Sequence, residues 1–281
     1  MVEQEINDIL RQSPNSRAYH ALNEKHFLLG DLAVFQCAVT FSLDSGWPVS
    51  MMVVAPSGQF KSSVGSLLTA SFPKRFYCLD RFTEYGIIKF SQKEKVNERT
   101  WYVNDFVRTF ESMSEYKVKS LLTFLAVLMS DSHADVSNYN FQNVKFDCRM
   151  NLIGNIAFVK YFDIAKFIKT STFYERVFEF WYKLERKQVR EKTERLEKKP
   201  RLAKLPNRFA SSCSLPVSLK AEVHRLSDSL MGYGYEETNV RYDNLVEGWL
   251  AGHAIFNGRR QVCEEDIQVF EYMKKHLIKL L

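Results

Sequence analysis

One segment constrains the fold of the chain more than any other: residues 49–64, with the sequence VSMMVVAPSGQFKSSV. Its apolar residues 51–54 predict a short buried strand, and the polar turn that follows contains Pro56 and Gly58. Lys61 and Ser62 then open an apolar stretch that can continue as a helix. A strand, a tight turn and a helix that begins with Lys-Ser form the layout of a phosphate-binding loop, where backbone N–H groups and the helix dipole attract an anion.

This interpretation predicts that the loop binds ATP together with Mg²⁺. Lys61 would reach the β- and γ-phosphates, and the hydroxyl of Ser62 would ligate the metal ion. The residues assigned to the nucleotide are Pro56, Ser57, Gly58, Gln59, Phe60, Lys61, Ser62 and Ser63.

The segment departs from the pattern G-x-x-x-x-G-K-[ST] at both outer glycines, which are Ala55 and Phe60 here. Glycine lets the backbone approach a phosphate closely and adopt a positive φ, so Phe60 predicts a narrowed or strained loop. The alternative is an ordinary strand followed by a polar turn in which Gly-x-x-Lys-Ser occurs by coincidence.

Further short β-prone segments alternate with helical periodicities along the chain. Strands are predicted at 76–79, 100–105 and 149–155, and the last two end on Asp105 and Asn155. This alternation predicts an α/β fold with a mostly parallel sheet and a ligand at the carboxyl ends of its strands. Asp105 could hold Mg²⁺ through water beside the loop, or it could cap the segment that follows it. Asn155 could equally satisfy backbone groups at a strand end.

The rest of the chain is predicted to be largely helical. Residues 115–129 predict a strong helix, 130–145 a loop or hairpin insertion, and 173–204 one long amphipathic helix or two joined ones. After a linker, helices are predicted at 217–230, 239–256 and 264–281. The predicted organisation is an N-terminal helical region at 1–47, an α/β domain at 48–205 and a helical domain at 206–281.

Composition excludes several classes of protein. The most apolar stretch, residues 27–43, is interrupted by Asp31 and Gln36, so no membrane span is predicted. Five cysteines are scattered without C-x-x-C spacing, and the six histidines are equally dispersed, which argues against a structural zinc site. Free thiols and an acidic, amphipathic N-terminus without the features of a secretory signal predict a cytoplasmic protein.

Positive charge is concentrated in one segment. The chain has a net charge of +6, and residues 183–204 contain ten Lys or Arg and four Glu, an excess of the same size. This segment predicts a nucleic-acid partner that is bound through its phosphates, with Lys187 and Arg190 as candidate contacts. The alternative is a solvated helix face with Glu–Lys pairs.

The helical tail resembles the lid of AAA+ ATPases, and is most similar to that of the minichromosome maintenance helicases and their virus- and plasmid-encoded relatives. The resemblance rests on four short motifs: Asn239-Val240-Arg241-Tyr242-Asp243-Asn244-Leu245, Ala251-Gly252-His253-Ala254, Gly258-Arg259-Arg260-Gln261-Val262 and Glu265-Asp266-Ile267. It would cover about residues 48–281 and implies a P-loop NTPase domain of AAA+ type followed by a small all-α lid.

The resemblance also implies roles for individual residues. Asp105 would be the acid beside magnesium, and Asn155 would position the attacking water. Arg241, which opens the lid helix, would contact the γ-phosphate. Arg176 would be an arginine finger that acts on the nucleotide of a neighbouring subunit, although an arginine beside Glu175 and Glu179 could instead form a surface ion pair. Residues 130–145 would take the place of a DNA-contacting hairpin, which makes Lys145 a candidate DNA contact.

One departure from the family concerns hydrolysis. The family has Asp-Glu after the third strand, but Asp105 is followed by Phe106 here, so no carboxylate stands in the usual place to polarise water. Glu84 or Asp80, near the end of the neighbouring strand, could substitute.

Two hypotheses follow. In the first, the chain is an AAA+-type ATPase that binds ATP and Mg²⁺ between subunits of a homo-oligomer and couples hydrolysis to the remodelling or unwinding of DNA, in preference to RNA. A helicase without a recognisable DNA-binding domain would need a partner protein. In the second, the chain is a degenerate, hydrolysis-poor nucleotide-binding scaffold that assembles on nucleic acid.

Overall fold

The computed structural model describes residues 29–91, 96–138, 141–195, 209–231 and 239–277. Its strands are β1 (Ser50–Ala55), β2 (Phe76–Leu79), β3 (Arg99–Val103), β4 (His133–Asn138), β5 (Phe141–Asp147), β6 (Met150–Ala157) and β7 (Val177–Trp181). Its helices are α1 (Leu29–Phe41), α2 (Lys61–Ser71), α3 (Glu84–Ser91), α4 (Glu115–Asp131), α5 (Phe158–Lys169), α6 (Arg186–Arg195), α7 (Lys220–Met231), α8 (Asn239–Phe256) and α9 (Glu264–Met273).

The fold is α/β, with a five-stranded sheet in the order β2-β3-β6-β1-β7 and every neighbouring pair parallel. The interior strand β1, between β6 and β7, is buried along its whole length, as expected for a continuous apolar run covered by helices on both faces. The predicted strands at 51–54, 76–79, 100–105 and 149–155 correspond to β1, β2, β3 and β6. The prediction of a parallel α/β sheet is therefore confirmed.

The direction of chain travel reverses between β1 and β6. From β1 the chain passes through α2 to the far edge strand β2, whereas from β6 it crosses β1 through α5 to reach β7. Because such crossovers are right-handed, opposite directions of travel put α2 and α5 on opposite faces of the sheet. Their buried side chains accordingly belong to different cores, with Leu68 of α2 in one and Ile164 of α5 in the other. The carboxyl edge between β1 and β6, where the helices depart to opposite faces, is the place at which open α/β sheets form a ligand crevice.

The tail helices pack on the same face of the sheet as α1 and α2. Gly252 of α8 lies so close to α1 that an added Cβ would stand 2.0 Å from the carbonyl oxygen of Ala38. Trp249, also on α8, is fully buried, and its ring centroid lies 5.2 Å from that of Phe35. The division into regions 1–47, 48–205 and 206–281 stays a prediction, and its first and last regions both contribute to this core.

The prediction of one or two joined helices over 173–204 is wrong. A short 3₁₀ turn at Tyr174–Arg176 leads into strand β7, and helix α6 begins only at Arg186. All five residues of β7 are buried, and they pair with β1 along its length. Aromatic and β-branched side chains that are buried on both faces favour a strand, and this burial outweighs their weak helical spacing. Residues 196–204 lie outside the described part of the chain.

The insertion predicted at 130–145 is a hairpin, in which β4 and β5 pair antiparallel between α4 and β6. The predicted tail helices are confirmed as α7, α8 and α9, although α9 ends at Met273 and continues as a 3₁₀ turn. The predicted N-terminal helical region at 1–47 is described only from residue 29 onward, where it contains α1. None of the helices in the described ranges has the length and apolar character that a bilayer crossing requires.

Candidate nucleotide site

The loop that joins β1 to α2 lies at the crevice where the strand order reverses, which is where open α/β sheets bind ligands. Gly58 and Phe60 both adopt left-handed backbone conformations, with φ of 74° and 63°. Alternation of left-handed residues with right-handed ones turns successive N–H groups toward one concavity, which is an anion-binding geometry. Phe60 therefore takes the conformation that glycine supplies in the usual pattern, and its ring packs against the core under α1 and α2.

A left-handed phenylalanine is strained, by about 1–3 kcal/mol, and persists only where its surroundings hold it. Those surroundings are contacts to the segment after β7. Gln59 is buried and exchanges two hydrogen bonds with the backbone of Leu184, while the hydroxyl of Tyr182 donates to the carbonyl oxygen of Gln59 at 2.6 Å. The loop is thus fixed before any ligand arrives.

Lys61 folds back over the end of β1. Its Nζ donates to the carbonyl oxygens of Ala55 at 2.7 Å and Pro56 at 2.9 Å. Burial lowers the pKa of Lys61 to about 8, against an opposing effect of the negative charge of Asp105. The ammonium group and the carboxylate therefore lie in one electrostatic environment at the carboxyl edge of the sheet.

Asp105 follows β3 and makes two weak contacts. Its Oδ1 accepts a hydrogen bond from the backbone N–H of Arg108 at 3.3 Å, which agrees with the capping alternative. Its Oδ2 lies 3.7 Å from Nζ of Lys160, whose shorter ion pair is with Glu111 at 2.8 Å. Because Asp105 is about two-fifths exposed and loosely held, its carboxylate can also serve a ligand.

The set of groups at this edge fits magnesium bound with a nucleotide. Ser62 and Ser63 are exposed in the first turn of α2, near the fixed loop, and Asp105 supplies a carboxylate. Mg²⁺ keeps several waters and takes its other ligands from a few protein oxygens and from phosphates. In the part of the chain that the structure describes, no three His, Cys, Asp or Glu side chains cluster as a metal site.

Asn155 is 1% exposed and lies near the end of β6, beside β1. Its backbone carbonyl accepts from the N–H of Phe106 at 2.9 Å, and its side-chain Nδ2 donates to the hydroxyl of Tyr102 at 2.6 Å. The other end of the amide, Oδ1, is buried without a hydrogen-bond partner among the described residues. The alternative that Asn155 satisfies backbone groups at a strand end therefore fits its main-chain carbonyl and not its side chain.

Arg176 and Arg241 lie at the opposite, amino edge of the sheet. Arg176 immediately precedes β7, and Arg241 lies in the first turn of α8, where it forms an ion pair with Glu175. A six-residue strand separates the two edges by about 16 Å. Within one chain the structure therefore does not bring either arginine to the loop, and Arg241 is not positioned to contact a γ-phosphate held by its own loop.

These two arginines share one cavity of about 680 Å³, which Arg149 also lines. The guanidinium of Arg176 bonds the hydroxyl of Ser130 and the carbonyl of Thr172, whereas Glu175 pairs with Arg241. Burial lowers the pKa of Arg176. Three guanidinium groups around one cavity make the amino edge of the sheet a second place suited to an anion.

Of the two substitutes for the missing carboxylate, Glu84 is engaged by another side chain. Glu84 lies in the first turn of α3 and accepts a hydrogen bond from Ser120 of α4 at 3.2 Å. Asp80 is exposed after β2. Phe106, at the position where the resemblance implies a glutamate, is completely buried and stacks on Phe173.

The candidate nucleic-acid contacts are dispersed. Lys187 and Arg190 are exposed on α6, together with Lys183 and Arg186 nearby. Lys145 lies on β5, in register with Asp135 of β4, and its side chain is outside the described part of the chain.

Sequence reasoning missed two parts of the site. Tyr102 looks like any aromatic residue of a buried strand, and Tyr182 falls in a segment that was predicted to be helical. A signal was present for the first, because Gly65 interrupts the predicted helix after Lys61, and an isolated glycine there indicates close packing.

No model of a known protein family matches the chain, and no curated protein does. The resemblance of the tail to the AAA+ lid accordingly stays a prediction.

Proposed function

We propose that the chain is a P-loop ATPase of AAA+ type, which binds ATP with Mg²⁺ at the crevice between β1 and β6. One observation carries the proposal. A loop with two left-handed residues and Lys61 lies at the point where the strand order reverses, and the negative charge of Asp105 at the same edge of the sheet acts on that lysine. A chance Gly-x-x-Lys-Ser in a polar turn would not require this position in the topology.

Each group has a physical task in this proposal. The backbone N–H groups of the loop and the first turn of α2 surround the phosphates, and Lys61 exchanges its carbonyl partners for phosphate oxygens. Ser62 and Asp105 would hold Mg²⁺, which neutralises charge on the β- and γ-phosphates when bound. Asn155 offers a buried amide beside the third phosphate.

The arginines support a site shared between subunits. Because Arg176 and Arg241 lie about 16 Å from their own loop, at the amino edge, they would meet the nucleotide of an adjacent copy. The shared cavity, with Arg149 as its third guanidinium, has the volume to receive the phosphates that protrude from a neighbour. In a homo-oligomer with the carboxyl edge of one chain on the amino edge of the next, the loop of the first chain would face the arginine cavity of the second.

The proposed work is the remodelling or unwinding of DNA. The β4–β5 hairpin stands where the resemblance implies a DNA contact, and α6 carries exposed Lys187 and Arg190. Contacts of this kind are made to phosphates, so DNA affinity should fall steeply with added salt, whereas an affinity that is indifferent to salt would remove this part of the proposal.

A second function, a nucleotide-binding scaffold with little hydrolysis, is favoured by one specific observation. Phe106 fills the place of the polarising carboxylate, and Glu84 is turned toward Ser120. Such a scaffold would bind ATP to stabilise an assembly on nucleic acid without turnover.

Nucleotide binding is tested by titration of the purified full chain with ATP and Mg²⁺. Calorimetry and the rise in Tm measure the binding. Lys61→Ala should lower the affinity by at least about tenfold, because one charge-assisted contact to phosphate is lost. Lys74→Ala removes an exposed lysine beyond the far end of α2 and should have no effect. Equal binding by Lys61→Ala and the unchanged chain would contradict the proposal.

Turnover separates the two functions. ATP hydrolysis measured with and without DNA should be present in the unchanged chain and absent in Lys61→Ala if the chain is a motor. Absence of turnover in both, together with a Tm that ATP raises only in the unchanged chain, would favour the scaffold. The mass of the particle with and without an ATP analogue tests the shared site, because an assembly that does not grow with nucleotide would contradict it.

A further inference from the structure

A cavity of about 300 Å³ lies beside the edge strand β2, on the face of the sheet that α4 and α5 cover. Its walls come from β2, β3, α3 and the segment between β3 and α4. Strands β3 and β6 separate β2 from β1, so β2 lies about 14 Å, or three strand spacings, from the strand that leads into the phosphate loop. The cavity also shares no described lining residue with the arginine cavity at the amino edge. It is therefore separate from both places discussed above.

The walls of this cavity are apolar and largely aromatic. Rings are contributed by Tyr77 of β2, by Phe82 and by Trp101 of β3. The indole N–H of Trp101 already donates to the carbonyl oxygen of Val96 at 3.1 Å, so this ring offers the cavity only apolar surface. The other apolar lining residues are Leu79, Ile87, Val96 and Met113. Sites for small molecules have walls of this kind with a few polar groups, and their volumes begin at about 300 Å³.

The exposed residues of the lining, Arg81, Thr83 and Ser112, mark the mouth of the cavity. The hydroxyl of Thr83 already accepts a hydrogen bond from the N–H of Gly86 at 3.0 Å.

Arg81 is the one charged residue among the described residues that line the cavity. Its side chain is 53% exposed, and its ion pair with Glu111 is long, at 3.4 Å, whereas Glu111 lies 2.8 Å from Nζ of Lys160. A guanidinium carries five N–H donors, so a single long contact leaves most of them to a ligand. A loosely held cation therefore stands at the mouth of an aromatic cavity.

We infer that this cavity binds a small aromatic carboxylate, with its rings against Tyr77, Phe82 and Trp101 and its acid group on Arg81. Aromatic walls favour an aromatic ligand, because rings gain from edge and face contacts beyond the area that they bury. A planar guanidinium matches a carboxylate, which it can bind through two parallel hydrogen bonds. The volume, at the small end of the range for ligand sites, suits a molecule of one or two rings. This site goes beyond the proposed function and does not depend on nucleotide binding.

The probe is 2-naphthoate, titrated into the full chain with labelled isoleucine methyl groups and followed by NMR. The methyl signal of Ile87, in the cavity wall, should shift in a saturable way with a Kd below about 1 mM, because an aromatic ring shifts the nuclei beside it. Ile164, which lines a different cavity between α4 and α5, is the internal reference and should not shift. Ile87→Val identifies the signal of Ile87. Absence of a saturable shift at Ile87, or a larger shift at Ile164, would overturn the inference.

Two variants test the acid group. Arg81→Met keeps most of the length of the side chain but removes its charge, so 2-naphthoate should bind about fivefold more weakly, as expected for a half-exposed ion pair. Arg108→Met is the matched control, because Arg108 is exposed and its charge also acts on Glu111, but it does not line the cavity. Equal affinities in the two variants would contradict the role of Arg81.

Two further ligands test the chemical class on the unchanged chain, without any substitution. The uncharged 2-naphthamide should bind about fivefold more weakly than 2-naphthoate, since it lacks the negative charge. Decahydronaphthalene-2-carboxylate keeps the carbon skeleton and the acid but has no aromatic ring, and it should bind about threefold more weakly. Equal binding of the amide would remove the acid from the inference, and equal binding of the saturated acid would remove the aromatic ring.

Discussion

Gln59 and Leu184 exchange two hydrogen bonds across the sheet edge: Nε2 of Gln59 donates to the carbonyl oxygen of Leu184 at 3.0 Å, and Oε1 accepts from its N–H at 2.8 Å. The side-chain amide thus pairs with a backbone peptide group as a neighbouring strand would. Through this contact the segment after β7 holds the loop between β1 and α2, which includes the left-handed residue Phe60.

The first prediction concerns this contact. Gln59→Leu keeps the bulk of the side chain but leaves a buried N–H and carbonyl of Leu184 unpaired, so it should lower the free energy of unfolding by about 1–3 kcal/mol. The loop should loosen as well, which would weaken ATP binding more than the loss of stability alone explains. Chemical denaturation and nucleotide titration measure the two effects. The control Gln59→Glu keeps an acceptor for the N–H of Leu184 but sets a carboxylate oxygen against its carbonyl oxygen, so at neutral pH it should be at least as destabilising as Gln59→Leu, and a smaller loss would contradict this pairing.

The pH dependence of nucleotide binding follows from Lys61. Since burial lowers its pKa to about 8, the ligand-free chain loses the ammonium charge as pH rises through that value. Polyphosphate binds the charged form, so ATP affinity should be constant below pH 7 and fall by up to about tenfold per pH unit above 8. Titrations at pH 7, 8 and 9 measure this fall. Lys61→Arg stays charged throughout, and an equal fall in that variant would assign the titration to another group.

The same shift has a defined sign for stability. The pKa of Lys61 is about 8 in the folded chain and has an ordinary value of 10.5 when unfolded. Between these values the unfolded chain binds more protons, so this residue's contribution makes the folded state more stable as pH rises from 8 toward 10.5. Bound phosphate should raise the pKa of Lys61 in the folded chain and so remove this rise in stability with pH. Melting curves recorded between pH 8 and 10.5, with and without ATP, measure the difference.

The packing of α8 on α1 gives a prediction that is independent of function. A Cβ at Gly252 would lie 2.0 Å from the carbonyl oxygen of Ala38, a backbone atom that cannot move aside alone. Alanine favours a helix over glycine by about 0.5–1 kcal/mol, but overpacking costs about 1–3 kcal/mol or more, so Gly252→Ala should be destabilising. Gly46→Ala has no atom within 4 Å of the new Cβ and should change stability by less than about 0.5 kcal/mol. Equal melting temperatures for the two variants would contradict the packing described.

The elements that could be predicted from sequence are those whose signal is local. Runs of apolar residues with their own period predict the strand before the loop and the helices of the tail. Lys61 marks the boundary at which α2 begins. β7 was missed because its residues are buried on both faces, and burial of that kind depends on β1, which lies more than a hundred residues away. The spacing of Arg176 and Arg241 gives no hint that they share a cavity, because only the topology brings α8 to the start of β7. Long-range placement of side chains, not local secondary structure, is therefore what the sequence left undetermined.

Phe106 provides the last prediction, which concerns a glutamate introduced at this position. Its ring is completely buried and contacts the rings of Phe82, Phe110 and Phe173, with centroids 5.0 to 6.4 Å apart. A glutamate there would bring a charge into an aromatic core and would be neutral or expelled, so it could not polarise water. Phe106→Glu should therefore lower the free energy of unfolding by at least about 3–5 kcal/mol, which is the loss typical of Phe→Ala in a core. It should not raise ATP turnover. Phe106→Leu keeps the core apolar and should lose less stability. A stable Phe106→Glu variant with faster hydrolysis would mean that the carboxylate reaches the crevice, and that the buried cluster is not the obstacle to catalysis.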